Sequence, residues 1–264
     1  MNRIVFIMLI FLMAQNLSGQ SSLNFLWPGG KEAAISLSFD DGRYSQVEGG
    51  TALLDSLHTK ATFYVVPAAV EERLEGWKKA VTSGHEIGNH SLYHPCSGNF
   101  VWSRTHALEN YTLDSMQAEL TKANNLIQKL LGVKPTVFAY PCGQKFVGRG
   151  VQVKSYVPLI AEMFISGRGF LEETANDPSF TDFAQITGIN MDGKDFEQIL
   201  PVIVAARKNG QWVVLAGHEM GEGGVQTTRL TMLRKLIAYA QDPANKLWLE
   251  PVANVATYIK QHRK

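Results

Sequence analysis

The chain has 264 residues, with 25 Lys and Arg against 24 Asp and Glu and a formal charge of +1. Without basic runs it lacks the phosphate-neutralising surface of a nucleic-acid binder, and equally the polybasic patch of an electrostatically held membrane protein. Its length suits one α/β barrel or two small domains.

The chain opens on Met1-Asn2-Arg3, followed by an apolar run from Ile4 to Ala14 and a small, polar stretch at 15–22. That is the build of a secretory signal peptide. The apolar run falls short of the roughly 20 residues a membrane helix needs. Residues 1–20 are therefore expected to be cleaved, leaving residues 21–264 exported to the periplasm or the exterior without stable membrane insertion; the competing reading is an uncleaved anchor. No cysteine follows directly, so a lipid anchor is not expected. Loss of Arg3 takes the formal charge to zero.

Seven strands are predicted, at 34–39, 61–66, 86–88, 136–140, 163–166, 185–189 and 212–216. Most are short, rich in Val, Ile and Phe, and bounded by Gly, Pro, Asp or Asn, as buried parallel strands are. Between them the spacing predicts helices at 113–131, 196–208 and 229–240, and a last one opening at Pro251. Gly132 is read as the stop of the longest helix. Alternating strands and helices without a low-complexity linker imply a single-domain parallel α/β fold, a distorted (β/α)7 barrel. The segment 95–110, aromatic and polar, is a loop long enough for a binding role.

The first strand ends in Asp40-Asp41-Gly42, and the carboxyl ends of barrel strands are where active sites are built. Adjacent side chains leave an extended backbone on opposite sides, so Asp40 and Asp41 are expected to face different partners. His90 and His94 stand four apart, which on a helical turn puts both imidazoles on one face. With Asp41 they would make a three-ligand site with positions left open, the catalytic rather than structural pattern. A zincin reading of His85-Glu86 with His90 fails because the two histidines are five apart. Phe138-Ala139-Tyr140-Pro141-Cys142-Gly143 ends a strand in a turn. Trp212-Val213-Val214-Leu215-Ala216 opens onto Gly217-His218, placing a candidate general acid at another strand end.

This arrangement resembles the polysaccharide deacetylases with the NodB homology domain, carbohydrate esterase family four, over nearly all of the chain after residue 20. Ser38-Phe39-Asp40-Asp41-Gly42 is similar to the first motif, which implies Asp40 as catalytic base and Asp41 as metal ligand. His90-Ser91-Leu92-Tyr93-His94 resembles the second, which implies both histidines as ligands. Pro141-Cys142-Gly143 resembles the third, implying the Cys142 N–H as oxyanion donor. The stretch 215–218 resembles the last, implying an apolar pocket for the acetyl methyl and His218 as the acid. The resemblance implies a divalent cation, with zinc expected, an acetylated carbohydrate substrate, and removal of N- or O-linked acetyl groups by water attacking the acetyl carbonyl.

Three departures accompany the match. Tyr140 stands where the third motif usually has an arginine that pairs with the base, and a phenol carries no charge. The fourth motif, which orients the acid histidine, has no clear counterpart; Asp192 before Gly193 is a weak candidate, and a turn aspartate is the better explanation. The last motif carries one residue more than usual between leucine and histidine. These leave two rivals, a catalytically silent carbohydrate-binding member of the fold and a metal amidase acting on a non-sugar amide. Phe100, Trp102 and Tyr111 favour a sugar through ring stacking, although aromatic loop residues also serve packing. Cys96 and Cys142 are the only cysteines, and read as a disulfide, two buried thiols or soft metal ligands.

Overall fold

The computed structural model describes residues 25–263. The signal peptide expected at 1–20 lies outside the described residues. Among those described, no helix is long and apolar enough to cross a membrane.

Eight parallel strands form the central sheet: β1 (Ala33–Phe39), β2 (Thr62–Val65), β3 (Glu86–Asn89), β4 (Val137–Ala139), β5 (Ser166–Arg168), β6 (Ile189–Asn190), β7 (Trp212–Gly217) and β8 (Leu247–Leu249). Their order is β5-β4-β3-β2-β1-β7-β6, with β8 beside the start of β1. A single parallel bridge from Arg168 to Ile186 brings the segment before β6 against β5, so the ring closes through one short stretch. That is the distortion of the seven-stranded barrel. β1 lies at its centre, paired through Ser38 and Phe39 with β2 and through residues 34–39 with β7.

The alternation in β1 explains the layers. Ile35, Leu37 and Phe39 join a cluster with residues of the surrounding helices α1 (Thr51–Ser56), α3 (Leu74–Thr82), α6 (Phe196–Asn209) and α7 (Leu230–Gln241). On the other face Ala34 packs with Trp212, Val214 and helix α8 (Val252–His262). The small Ser36 leaves room there for the Trp212 indole, whose N–H it accepts at 3.0 Å. Truncating a side chain such as Leu37 to alanine in this core costs about 2–5 kcal/mol.

Helix α4 (Leu113–Leu131) matches its expected bounds, opened by a Thr112–Ser115 capping box and stopped at Gly132 in the left-handed region. Pro251 precedes α8 as its cap rather than sitting in its first turn. Two strand predictions shift. Residues 157–163 form helix α5 (Val157–Met163) and the strand runs from Ser166, while residues 183–185 make a 3-10 turn before β6. These segments are short apolar runs, for which hydrophobic pattern alone does not separate helix from strand. Helix α2 (Pro67–Glu72), α1, α3 and strand β8 were not anticipated. The predicted long loop contains two 3-10 turns, Val101–His106 and Leu108–Asn110.

Candidate active site

Asp40, His90, Cys142, Arg168, Asp192 and His218 all follow or end strands at one rim of the barrel. Six of the seven turns around the rim, all but the one after β2, thus deliver chemistry to one mouth. Asp40 continues the β1 ladder, its N–H donating to Gly217 O at 2.9 Å. Asp41 then turns away with φ +74°, a left-handed conformation that aspartate tolerates. The two carboxylates do face different partners, but through this turn rather than through pleat alternation.

The two histidines are not on a helical turn. Residues 90–96 are irregular, with Ser91 at φ +67° and His94 at φ +51°. Side chains stand in for the missing helical ladder. Asn89 Oδ1 accepts Ser91 N–H at 2.6 Å, Ser91 Oγ accepts His94 N–H at 3.0 Å, and Glu119 of α4 accepts the N–H groups of Leu92 and Tyr93 at 3.2 and 3.1 Å. The loop so held brings His90 Nε2 and His94 Nε2 each to 3.3 Å from Asp41 Oδ1.

Asp41 Oδ1 is buried and, among the described residues, has no hydrogen-bond partner, while Arg43 occupies Oδ2 at 2.8 Å. An orphaned carboxylate oxygen between two ring nitrogens fits a cation, since burial without a partner is otherwise costly. The ring of His90 is oriented for it, because its other nitrogen, Nδ1, lies 2.9 Å from Ala139 O and leaves Nε2 the ligand face. Burial and the neighbouring His90 hold the His94 pKa down at about 4, so the imidazole is neutral and its lone pair available at neutral pH. Although burial opposes ionisation, His90 and His94 keep the Asp41 carboxyl far below the usual carboxylate range.

Two residues that sequence reasoning missed or discounted complete the mouth. The side chain of Arg168, at the end of β5, is fully buried and pairs through Nη2 with Asp40 Oδ1. It supplies the charged partner that Tyr140 cannot. Tyr140 itself donates to Ala184 O at 2.7 Å, so its hydroxyl is committed elsewhere. Asp192 is no mere turn residue: one oxygen lies 2.6 Å from His218 Nδ1, and the other accepts His218 N–H at 3.1 Å and the Thr228 hydroxyl at 2.7 Å. Gly217 permits this approach, since a Cβ there would overlap Thr228 and lie 2.8 Å from Asp192 Oδ1. Burial opposes charge on His218, but Asp192, Asp40 and Asp41 outweigh it and raise its pKa. Gln46 ties the two strand ends together, donating to Asp40 O at 2.7 Å and His218 O at 2.9 Å.

Cys142 lines the same cavity at φ +54° and is disulfide-bonded to Cys96, so the thiol and soft-ligand readings are excluded for this form. The apolar lining differs from expectation. Leu215 belongs to the cluster shared with the outer helices, and Val66, Phe170 and Leu171 line the cavity instead.

Residues 28–154 match the family model for polysaccharide deacetylase. Over those residues the chain resembles the polysaccharide deacetylase family. The chain is 31% identical over 116 residues to the peptidoglycan-N-acetylmuramic acid deacetylase of Bacillus subtilis, an alignment covering 42% of the chain and 38% of that protein. The chain spans 10 to 38% of the length of the first curated relatives it matches. A Mycobacterium smegmatis crystal structure shares the deacetylase fold at TM-score 0.66 and 18% identity, over 91% of this chain and 95% of that one. A pseudoenzyme of carbohydrate esterase family four from Bacillus anthracis shares it at TM-score 0.53 and 19% identity, over 87% and 66%. Fold alone therefore does not separate an active deacetylase from a silent one.

Proposed function

We propose that this chain is an exported, metal-dependent hydrolase that removes acetyl groups from a carbohydrate. The observation that carries the reading is the unpartnered Asp41 Oδ1, 3.3 Å from both His90 Nε2 and His94 Nε2. Asp41, His90 and His94 would hold a divalent cation, and this mixed nitrogen and oxygen donor set suits zinc. When bound, the cation supplies Lewis-acid polarisation of the acetyl carbonyl and makes water more acidic.

The chain's own groups divide the remaining work. Asp40 takes a proton from the attacking water, with Arg168 holding Oδ1 and leaving the second oxygen for that proton. The Cys142 N–H stabilises the developing oxyanion, a contribution of about 3 to 4 kcal/mol for one well-placed donor. His218, charged and oriented by Asp192, gives its Nε2 proton to the leaving nitrogen or oxygen as the bond to the acetyl carbon breaks. The products are acetate and a free amine or hydroxyl.

The features that favoured a silent binding protein were the absent arginine and the absent partner for the acid. Arg168 and Asp192 meet both needs. Acetate release from acetylated xylan, chitin oligomers and peptidoglycan, measured with and without chelator, tests the reading. Release from at least one that stops with chelator and returns with zinc is expected. Release from none, or release that ignores the chelator, refutes it.

A further inference from the structure

The sulfurs of Cys96 and Cys142 take no part in the proposed reaction, yet they lie beside one of its candidate ligands. His94 turns its two ring nitrogens in different directions: Nε2 is 3.3 Å from Asp41 Oδ1, and Nδ1 is 3.7 Å from Cys96 Sγ. His90 is built otherwise, with Nδ1 2.9 Å from a backbone oxygen, the usual partner for the second nitrogen of a ligand imidazole. Among the described residues the only hydrogen-bond partner of His94 Nδ1 is the sulfur. One ligand atom from each of His94, Cys96 and Cys142 lies within 4.8 Å of those of the other two. Ligands held about 2.0–2.3 Å from one zinc ion stand roughly 3.3–3.8 Å apart in a tetrahedron, close to the spacing already present between His94 Nδ1 and Cys96 Sγ.

What withholds the two sulfurs from a cation is their bond to each other. Cys96 is buried, but Cys142 is partly exposed and lines the cavity of about 670 Å³, so a small thiol entering the cavity meets Cys142. Its thiolate attacks the Cys142 sulfur, Cys96 leaves as the thiolate, and a second small thiol resolves the mixed disulfide. The small thiols end as their own disulfide, and their two protons and two electrons leave both cysteines as thiols. The two segments stay together without the bond. Ser97 N–H donates to Gln144 Oε1 at 2.7 Å, joining the chain after Cys96 to the chain after Cys142. The Ser103 hydroxyl accepts Cys96 N–H and donates to Cys96 O, each at 2.9 Å, and Leu108 N–H donates to the same oxygen at 3.0 Å. Gly143 N–H closes the Cys142 turn on Tyr140 O at 2.8 Å. Reduction therefore leaves a prearranged dithiol beside an imidazole.

We propose that reduction of the Cys96–Cys142 disulfide creates a second cation site, made of both sulfurs and His94 Nδ1, that takes a thiophilic divalent cation such as zinc and withdraws His94 from Asp41. Binding displaces one proton from each thiol. Thiolates select zinc over harder cations, and a neutral imidazole offers a lone pair on one nitrogen at a time, so the ring serves one site or the other. The sulfur site stands whatever reaction the cavity carries out; only the withdrawal of His94 rests on the metal centre of the hydrolase reading.

Cobalt(II), whose bonds to thiolate give an intense near-ultraviolet band, tests the proposal in the whole protein reduced by a water-soluble phosphine under nitrogen. Asp41→Ala removes the oxygen ligand of the other site. Unreduced, this variant should show no thiolate band; reduced, it should bind one equivalent of cobalt with the band present. Adding His94→Ala should weaken that binding by about 10-fold or more, since even the hydrogen-bond partner of a ligand is typically worth about 10–100-fold in metal affinity. Denaturant, which supplies the unfolded dithiol as reference, should weaken it at least as much. Reduced protein with Asp41 intact should also bind one equivalent, with the band. The proposal is overturned by absence of the band after reduction, by an affinity that ignores His94→Ala or matches the denatured reference, or by two equivalents bound at once with Asp41 intact. Acetate release by the unreduced protein tests the hydrolase reading separately, so either can fail while the other stands.

Discussion

At the scale of single residues, the proposed site is a set of pairs in which one member would act and the other fix its state. Asp41→Ala, His90→Ala and His94→Ala are each expected to abolish zinc retention, whereas Asp40→Asn keeps the metal and loses turnover. Metal analysis of the purified variants checks this, and full occupancy in the double histidine variant would sink the ligand assignment. Arg168→Met leaves the buried Asp40 uncompensated, at a cost of about 3–5 kcal/mol, and lowers kcat. Because the loss comes from a stranded charge, adding Asp40→Asn should restore much of the stability in urea titrations but none of the activity. For Asp192→Asn the sign follows from opposing causes. Burial pushes the His218 pKa down and Asp192 pushes it up, so removal of the carboxylate lets burial gain. The alkaline limb of kcat against pH should move to lower pH with zinc content unchanged; an unmoved limb would deny His218 its role as acid.

At the scale of elements, the turns after the strands do what helices and strands cannot. Asp41, Ser91, His94 and Cys142 all have left-handed φ values, a conformation that costs non-glycine residues and persists where surroundings hold it. Glu119 of α4 and the Cys96–Cys142 disulfide are two such restraints. The disulfide closes a 46-residue separation, for which the loop-entropy relation predicts about 4 kcal/mol. The Cys96→Ala and Cys142→Ala double variant is therefore expected to lose about 2–4 kcal/mol in denaturant titrations. Its kcat and its zinc affinity should both fall, because the bond restrains the turn at Cys142 and the loop that carries His94, whose Nδ1 lies 3.7 Å from Cys96 Sγ.

At the scale of the whole molecule, buried imidazoles make the metal-free protein acid-sensitive. Burial lowers the pKa of His85 and of His94 from 6.5 to about 4. The unfolded chain therefore binds more protons across that window, and stability falls as pH drops from about 6.5 to 4. His218 acts in the opposite sense: its raised pKa contributes stability that is complete below 6.5 and is lost as pH rises through the folded value. With two histidines against one, melting of the chelated protein should come at a lower temperature at pH 4.5 than at pH 7; an equal or higher Tm would contradict it. Within this fold, the sequence alone determined the parallel α/β architecture, through short buried runs alternating with helical periods. It also singled out Asp40, Asp41 and His218 by their place at strand ends, and His90 and His94 by their mutual spacing and the family motif they resemble, all local properties of the chain. Only the tertiary structure decided that Arg168, 128 residues from Asp40, supplies the missing charge, and that Asp192 reaches His218. Which strand ends become neighbours at the rim depends on sheet order and closure, and no local pattern of residues encodes a pairing across that ring.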